Sequence, residues 1–133
     1  MNTLPALTGL GFVLFGLWTL QRQAPPPPGA WRIAAALSLL FLAFSLWAVA
    51  REGPFGFWAE HTRNLWGQQI WFDLLLAAGT AWAALLPQAR ALGMRPAPWL
   101  LAVVCTGSIG LLAMQARLLY LRERSGAVSA PRA

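Results

Sequence analysis

The chain has 133 residues, 58% of them hydrophobic and 11% charged, with a mean hydropathy of +0.55. An ordinary soluble domain carries about 25% charged residues, and a chain this short cannot wet the surface of a soluble core with so few, so the composition points to a protein surrounded by bilayer. The formal charge is +6, and all ten basic residues are arginines that flank apolar runs without forming one basic block; that is the pattern of interfacial anchors and topology signals, and it argues against a nucleic-acid-binding face.

The first apolar run, Leu4 to Leu20, lies at the short end of the roughly 20 residues that cross a bilayer. No basic residue precedes it, Arg22 follows it, and no small-residue cleavage site comes before the prolines. It therefore reads as a retained helix and not as a signal peptide. Gly9, Gly11 and Gly16 would let another helix approach closely. Pro25 to Pro28 and Gly29 make a stiff, extended spacer, and Trp31 and Arg32 mark a membrane–water interface.

The second run, Ile33 to Ala50, places Ala34, Ser38 and Ser45 on one face as a packing seam and closes at Trp47 and Arg51. The connector that follows is rich in aromatics, and Trp58 to Trp66 reads as a short helix in the headgroup layer. The third run, about Gln68 to Leu86, contains Asp73; Pro87 is expected to end it, because proline disfavours helix in the residue before it. The fourth run, Leu100 to Leu119, carries Ala102, Thr106 and Gly110 at a spacing of four, a second expected seam. Tyr120, Arg122 and Arg124 anchor its end, and residues 125–133 read as a disordered tail.

The expected architecture is all-α and integral to the membrane: a single domain over residues 1–124, with four transmembrane helices at about 4–20, 33–50, 68–86 and 100–119 in two antiparallel hairpins. Interfacial anchors are Trp31, Trp58, Trp66, Trp99 and Tyr120. Four crossings put both termini on one side. That side and the second connector together hold six arginines against four opposite, which favours cytoplasmic termini.

Polar residues concentrate where the third run begins. Trp66, Gln69, Asp73 and Thr80 share one helical stripe, and His61, Asn64 and Gln68 share another. Asp73 falls about 10 Å along the axis from Trp66, where an ionised carboxylate must be solvated, paired or protonated. With the fourth helix antiparallel, Gln115 and Arg117 reach the same level, so Asp73 is expected to pair with Arg117 or hydrogen-bond Gln115. The candidate polar cluster is Asp73, Gln69, Gln115, Arg117 and His61. It reads either as a proton- or ligand-handling site beside a histidine that can switch near neutral pH, or as a clamp that fixes helix register.

The chain shows no phosphate-binding glycine loop, no nucleophile beside a base and no close carboxylate pair. No catalytic residue, metal ligand set or cofactor is assigned, and the lone Cys105 reads as a small buried side chain. The expected function is that of a non-enzymatic accessory or scaffolding subunit of a membrane complex, with membrane lipid and other membrane subunits, or a second copy, as partners. The alternative is a small transporter or hydrophobic-ligand binder with a polar mouth around Asp73. A third reading, an enzyme acting on lipid-like substrates with Asp73 and His61 as acid and base, rests on a thin set of groups.

Three pieces of the second half carry a resemblance: Trp71-Phe72-Asp73-Leu74-Leu75, then Ala91-Leu92-Gly93-Met94-Arg95 before Trp99, then Leu119-Tyr120-Leu121-Arg122-Glu123-Arg124. Over about residues 58–124 the chain resembles a family of small bacterial multi-pass membrane proteins, domain of unknown function 2834. The loop between the pieces lacks that family's more basic, acid-containing form. The resemblance implies a membrane fold and a bacterial inner membrane, and no activity.

Overall fold

A computed structural model describes residues 3–21 and 24–129, with side chains through residue 126. All its regular structure is helical. The six helices are α1 (Leu4–Gln21), α2 (Ala30–Glu52), α3 (Gly56–Thr62), α4 (Leu65–Ala91), α5 (Pro96–Thr106) and α6 (Ser108–Ser129). Three of them, α1, α2 and α4, are long and apolar enough to cross a membrane. The expected count of four is corrected at the last run, which is not one helix.

The break is Gly107. Its backbone (φ 58, ψ −121) lies in a region that only glycine enters without strain, and its N–H caps α5 by donating to the Val103 carbonyl at 2.7 Å. One residue therefore turns the chain back on itself. Gly110 then rests on the Ala102–Val103 peptide: a β-carbon there would sit 2.7 Å from the Ala102 carbonyl carbon. A continuous helix would hold residues 102 and 110 about 12 Å apart. The expected seam of Ala102 and Gly110 exists, but its two members pack against each other. Thr106, the third member, is exposed and bonds its own backbone at Ala102. Cys105, expected to be buried, is also exposed.

The other boundaries have similar local causes. α4 starts at Leu65, three residues earlier than expected, because Asn64 caps it: its Oδ1 accepts from the Gly67 N–H at 2.8 Å. It also runs through Pro87 to Ala91. Proline removes one backbone bond, yet the real stop is a Schellman turn. The Gly93 N–H donates to the Arg90 carbonyl at 3.0 Å, the Met94 N–H donates to Ala89 at 2.9 Å, and Gly93 takes φ 70. Pro96, assigned to a connector by sequence, instead opens α5 at a first-turn position that lacks a helical acceptor anyway. At its far end α6 continues helically to Ser129, where a disordered tail was expected; the remainder of that tail lies outside the described residues.

Packing centres on α6. Ala89, Met94, Met114 and Leu118 form the core, with Trp82, Leu85, Leu92, Trp99 and Leu121 around it. Because Met94, just before α5, meets Met114 and Leu118 of α6 while Ala102 meets Gly110, α5 and α6 run antiparallel. α2 lies antiparallel on another face of α6. Its Ala34 and Ser38 are buried there, and the Ser38 hydroxyl donates to the Ile109 carbonyl at 3.0 Å. This is the seam expected from Ala34 and Ser38; Ser45 is partly covered further along the same face. α3 folds back on the start of α4. α1 buries none of its residues, and a β-carbon at Gly9, Gly11 or Gly16 would meet nothing within 4 Å.

Candidate functional site

The expected polar cluster does not assemble. The face of α4 that packs inward runs through Gly67, Trp71, Trp82, Leu85 and Ala89, which repeat at helical spacing. Asp73 stands two residues from Trp71, about 200° around the helix, and Gln69 shares that outward side. Both are exposed. Asp73 makes no hydrogen bond or ion pair with any described residue; the one ion pair found among them joins Arg63 to Glu60 at 3.1 Å. The proposed partners are elsewhere. α6 starts at the Gly107 turn and leads away from the α3 end, so Gln115 and Arg117 are carried to the opposite end of α4. Gln115 is exposed there, and the Arg117 guanidinium lies over the Tyr120 ring at 5.6 Å. The expected Asp73–Arg117 or Asp73–Gln115 contact is absent because the fourth run is folded in half.

His61 belongs to a different group. Its ring meets Trp71 edge-on at 5.1 Å, and its Nδ1–H donates to the Phe57 carbonyl. Phe57 and Trp58 also flank Trp71, at 6.0 and 6.4 Å. These rings glue α3 to α4 and set His61 on the opposite side of α4 from Asp73. Thr80 bonds the Leu76 carbonyl of its own helix. Of the expected anchors, Trp58 and Trp66 stay exposed at the α3 end, while Trp31, Trp99 and Tyr120 gather, half-buried, at the other.

That other end is the more organised one. The Trp31 ring stands edge-on to Tyr120 at 5.4 Å. The guanidiniums of Arg117 and Arg124 lie over Tyr120 at 5.6 and 5.4 Å, within cation–π range. Arg122 donates from Nη2 to the Gln88 Oε1, which ties α6 to the end of α4. The Glu123 carboxylate accepts from the Gly29 N–H at 3.0 Å, which ties α6 to the turn before α2. Arg32 lies beside its neighbour Trp31, and Arg90 and Arg95 flank the core residues Ala89 and Met94. Six described arginines thus share this end with the single carboxylate of Glu123. The α3 end has Arg51 and Arg63 against Glu52 and Glu60. Between the proline spacer and α6 is an open cleft of about 310 Å³, walled by Pro25 to Pro28, Trp31 and Leu119, with Arg122 and Glu123 at its rim.

Arg122, Glu123, Gln88 and Gly29 were not singled out as interacting residues by sequence. The available signal was Gly107-Ser108 inside an apolar run, two poor helix formers together at its middle. Among the described residues, no three His, Cys, Asp or Glu come together as a metal site would need. No family model matches the chain, and neither a curated protein nor a solved structure is found similar to it.

Proposed function

We propose that the chain is a non-enzymatic multi-pass protein of a bacterial inner membrane, acting as an accessory or scaffolding subunit of a larger membrane complex. The observation that supports this reading best is Asp73. A carboxylate on a candidate span, turned outward and without a partner among the described residues, is costly against lipid, and such groups pair with other polar groups where they can. An adjoining subunit would supply that partner. The uncovered glycine face of α1 fits the same reading, since close helix approach in lipid uses small residues. The bacterial membrane follows from the resemblance over residues 58–124.

The test is purification in a mild detergent from the native membrane, followed by identification of stoichiometric partners. Asp73→Asn should leave the helical content and yield intact while the partner is lost. A variant that keeps its partner, or a wild-type chain that purifies only as a dimer of itself, counts against the subunit reading.

The same proposal revises the orientation. α5 has 11 residues, about 16 Å at 1.5 Å each, which is half of a hydrocarbon core of about 30 Å. α5 and the first half of α6 then form a re-entrant hairpin with its tip at Gly107, braced just past the turn by the Ser38 hydroxyl of α2 on the Ile109 carbonyl, since irregular backbone at membrane depth needs protein around it. With three crossings and one re-entrant hairpin, the residues before α1 and those after α6 lie on opposite sides. The arginine-rich end faces the cytoplasm under the positive-inside rule, so α1 starts outside. This replaces the expectation that both termini are cytoplasmic. Single cysteines in a Cys105→Ser background report it: one at Pro54 should react with a membrane-impermeant maleimide in intact cells, and one at Ser125 only after lysis.

A further inference from the structure

We infer that the arginine-rich end is a binding site for an anionic phospholipid headgroup of the leaflet in which it sits. The inference rests on the membrane placement proposed above and goes beyond it by naming a ligand class and a site. The charge is lopsided: of the described arginines, only Arg51 and Arg63 lie at the α3 end, where Glu52 and Glu60 offset them, and Arg63 is paired with Glu60. At the other end the one carboxylate, Glu123, is engaged by the Gly29 N–H, and no arginine there has an acidic partner among the described residues. Cationic side chains without counter-charges at headgroup level are what anionic lipids neutralise.

The site also has a shape. Trp31 and Tyr120 form the half-buried ring pair expected at the carbonyl level of a leaflet. Arg117 and Arg124 are held over the Tyr120 ring, and their guanidinium N–H groups can donate to a phosphate. Arg122 is steadied by Gln88 at the rim of the open cleft. The cleft walls are proline rings, Trp31 and Leu119, suited to glycerol and the first acyl methylenes. Headgroup phosphate at the rim and chain along the wall is the orientation that a lipid in the same leaflet already has, so binding costs little reorientation. Cation–π contacts restrain the arginines before the ligand arrives, which lowers the entropy cost of binding.

The full chain, purified in dodecyl maltoside, is titrated with dioleoylphosphatidylglycerol or dioleoylphosphatidylcholine. Retained lipid is read by native mass spectrometry and the thermal midpoint by circular dichroism. Phosphatidylglycerol should bind at least tenfold more tightly and raise the midpoint more. Arg122→Gln and Arg124→Gln should each weaken it about fivefold, the worth of one basic residue near an anionic surface. Arg51→Gln with Arg63→Gln should change nothing. Arg122→Lys with Arg124→Lys should keep the preference, and it guards against loss by misfolding. Equal binding of the two lipids by the wild-type chain overturns the site. So does a loss of preference in the lysine pair, or as large a loss in the α3-end pair as in Arg122→Gln. Cysteine labelling tests the orientation separately, so the two ideas can fail independently.

Discussion

The α3–α4 and α5–α6 hairpins are closed by the same device and packed into the molecule differently. In each a short helix folds back on a long one, and a glycine lets two backbones touch. In the first, Gly67 of α4 faces α3, where a β-carbon would lie 2.4 Å from the Glu60 carbonyl oxygen; in the second, Gly110 of α6 faces α5, at 2.7 Å from the Ala102 carbonyl carbon. Yet α3 is an outlying helix with no buried residue, while α5 and α6 contribute Val103, Met114, Ala116 and Leu118 to the buried interior. The same close approach therefore stabilises the whole fold in the α5–α6 hairpin and only a flap in the α3–α4 one. Charge differs as well: the flap sits at a nearly balanced end, and α6 carries its arginines at the end away from the Gly107 turn.

Substitution at the two glycines is the strongest way to break this parallel. Gly110→Ala drives a β-carbon into backbone, which cannot move aside as a side-chain tip can. The expected loss is about 1–3 kcal/mol, read as a lower thermal midpoint in detergent. Gly67→Ala meets a tighter clash, but α3 can lift away from the bundle. Its effect on the global midpoint should be less than about 1 kcal/mol, as the helix gains what alanine favours over glycine. A cysteine at Ala59 in a Cys105→Ser background should at the same time react faster with a thiol probe. If Gly67→Ala costs as much as Gly110→Ala, the two hairpins are energetically alike and the contrast fails.

Much of the architecture was legible because the composition of a membrane protein is so constrained. The spans near Leu4–Leu20, Ile33–Ala50 and Gln68–Leu86 appear as α1, α2 and α4, and the short helix expected near Trp58 appears as α3. The errors trace to single residues. Gly107 reads as one more small residue in an apolar run, and its left-handed turn reverses every residue from Ser108 onward. That one reversal moved Arg117 away from Asp73, changed the count of spans, and redistributed the arginines. Pro87 reads as a stop because proline disfavours helix in the residue before it, whereas the helix ends in the turn at Gly93, six residues later. The misreading of Asp73 was avoidable. The stripe through Gly67, Trp71, Trp82 and Ala89 is visible in the sequence, and it puts the carboxylate on the back of the helix.

Two smaller substitutions sharpen the contrast, one beside each hairpin. Asn64→Ala removes the cap of α4 beside the flap. It should cost about 1 kcal/mol, with Asn64→Asp restoring most of it, since either side chain accepts from the Gly67 N–H. Ser38→Ala removes a side-chain hydrogen bond between α2 and α6, just past the Gly107 turn. Its cost should be smaller, about 0.6 kcal/mol, the mean for interhelical bonds in lipid. The reason is local: the Ile109 carbonyl is in the first turn of α6 and keeps a backbone donor four residues on, so losing the hydroxyl leaves no orphaned acceptor. Ser38 touches Ile109 and Gly110 is the next residue, so the two substitutions act on the same stretch of backbone. A double-mutant cycle of Ser38→Ala with Gly110→Ala should therefore depart from additivity by at least about 0.5 kcal/mol, while Ser38→Ala with Asn64→Ala should add. Additivity in the first pair would mean that α2 does not brace the α5–α6 turn, and coupling in the second would mean that the two hairpins are not independent.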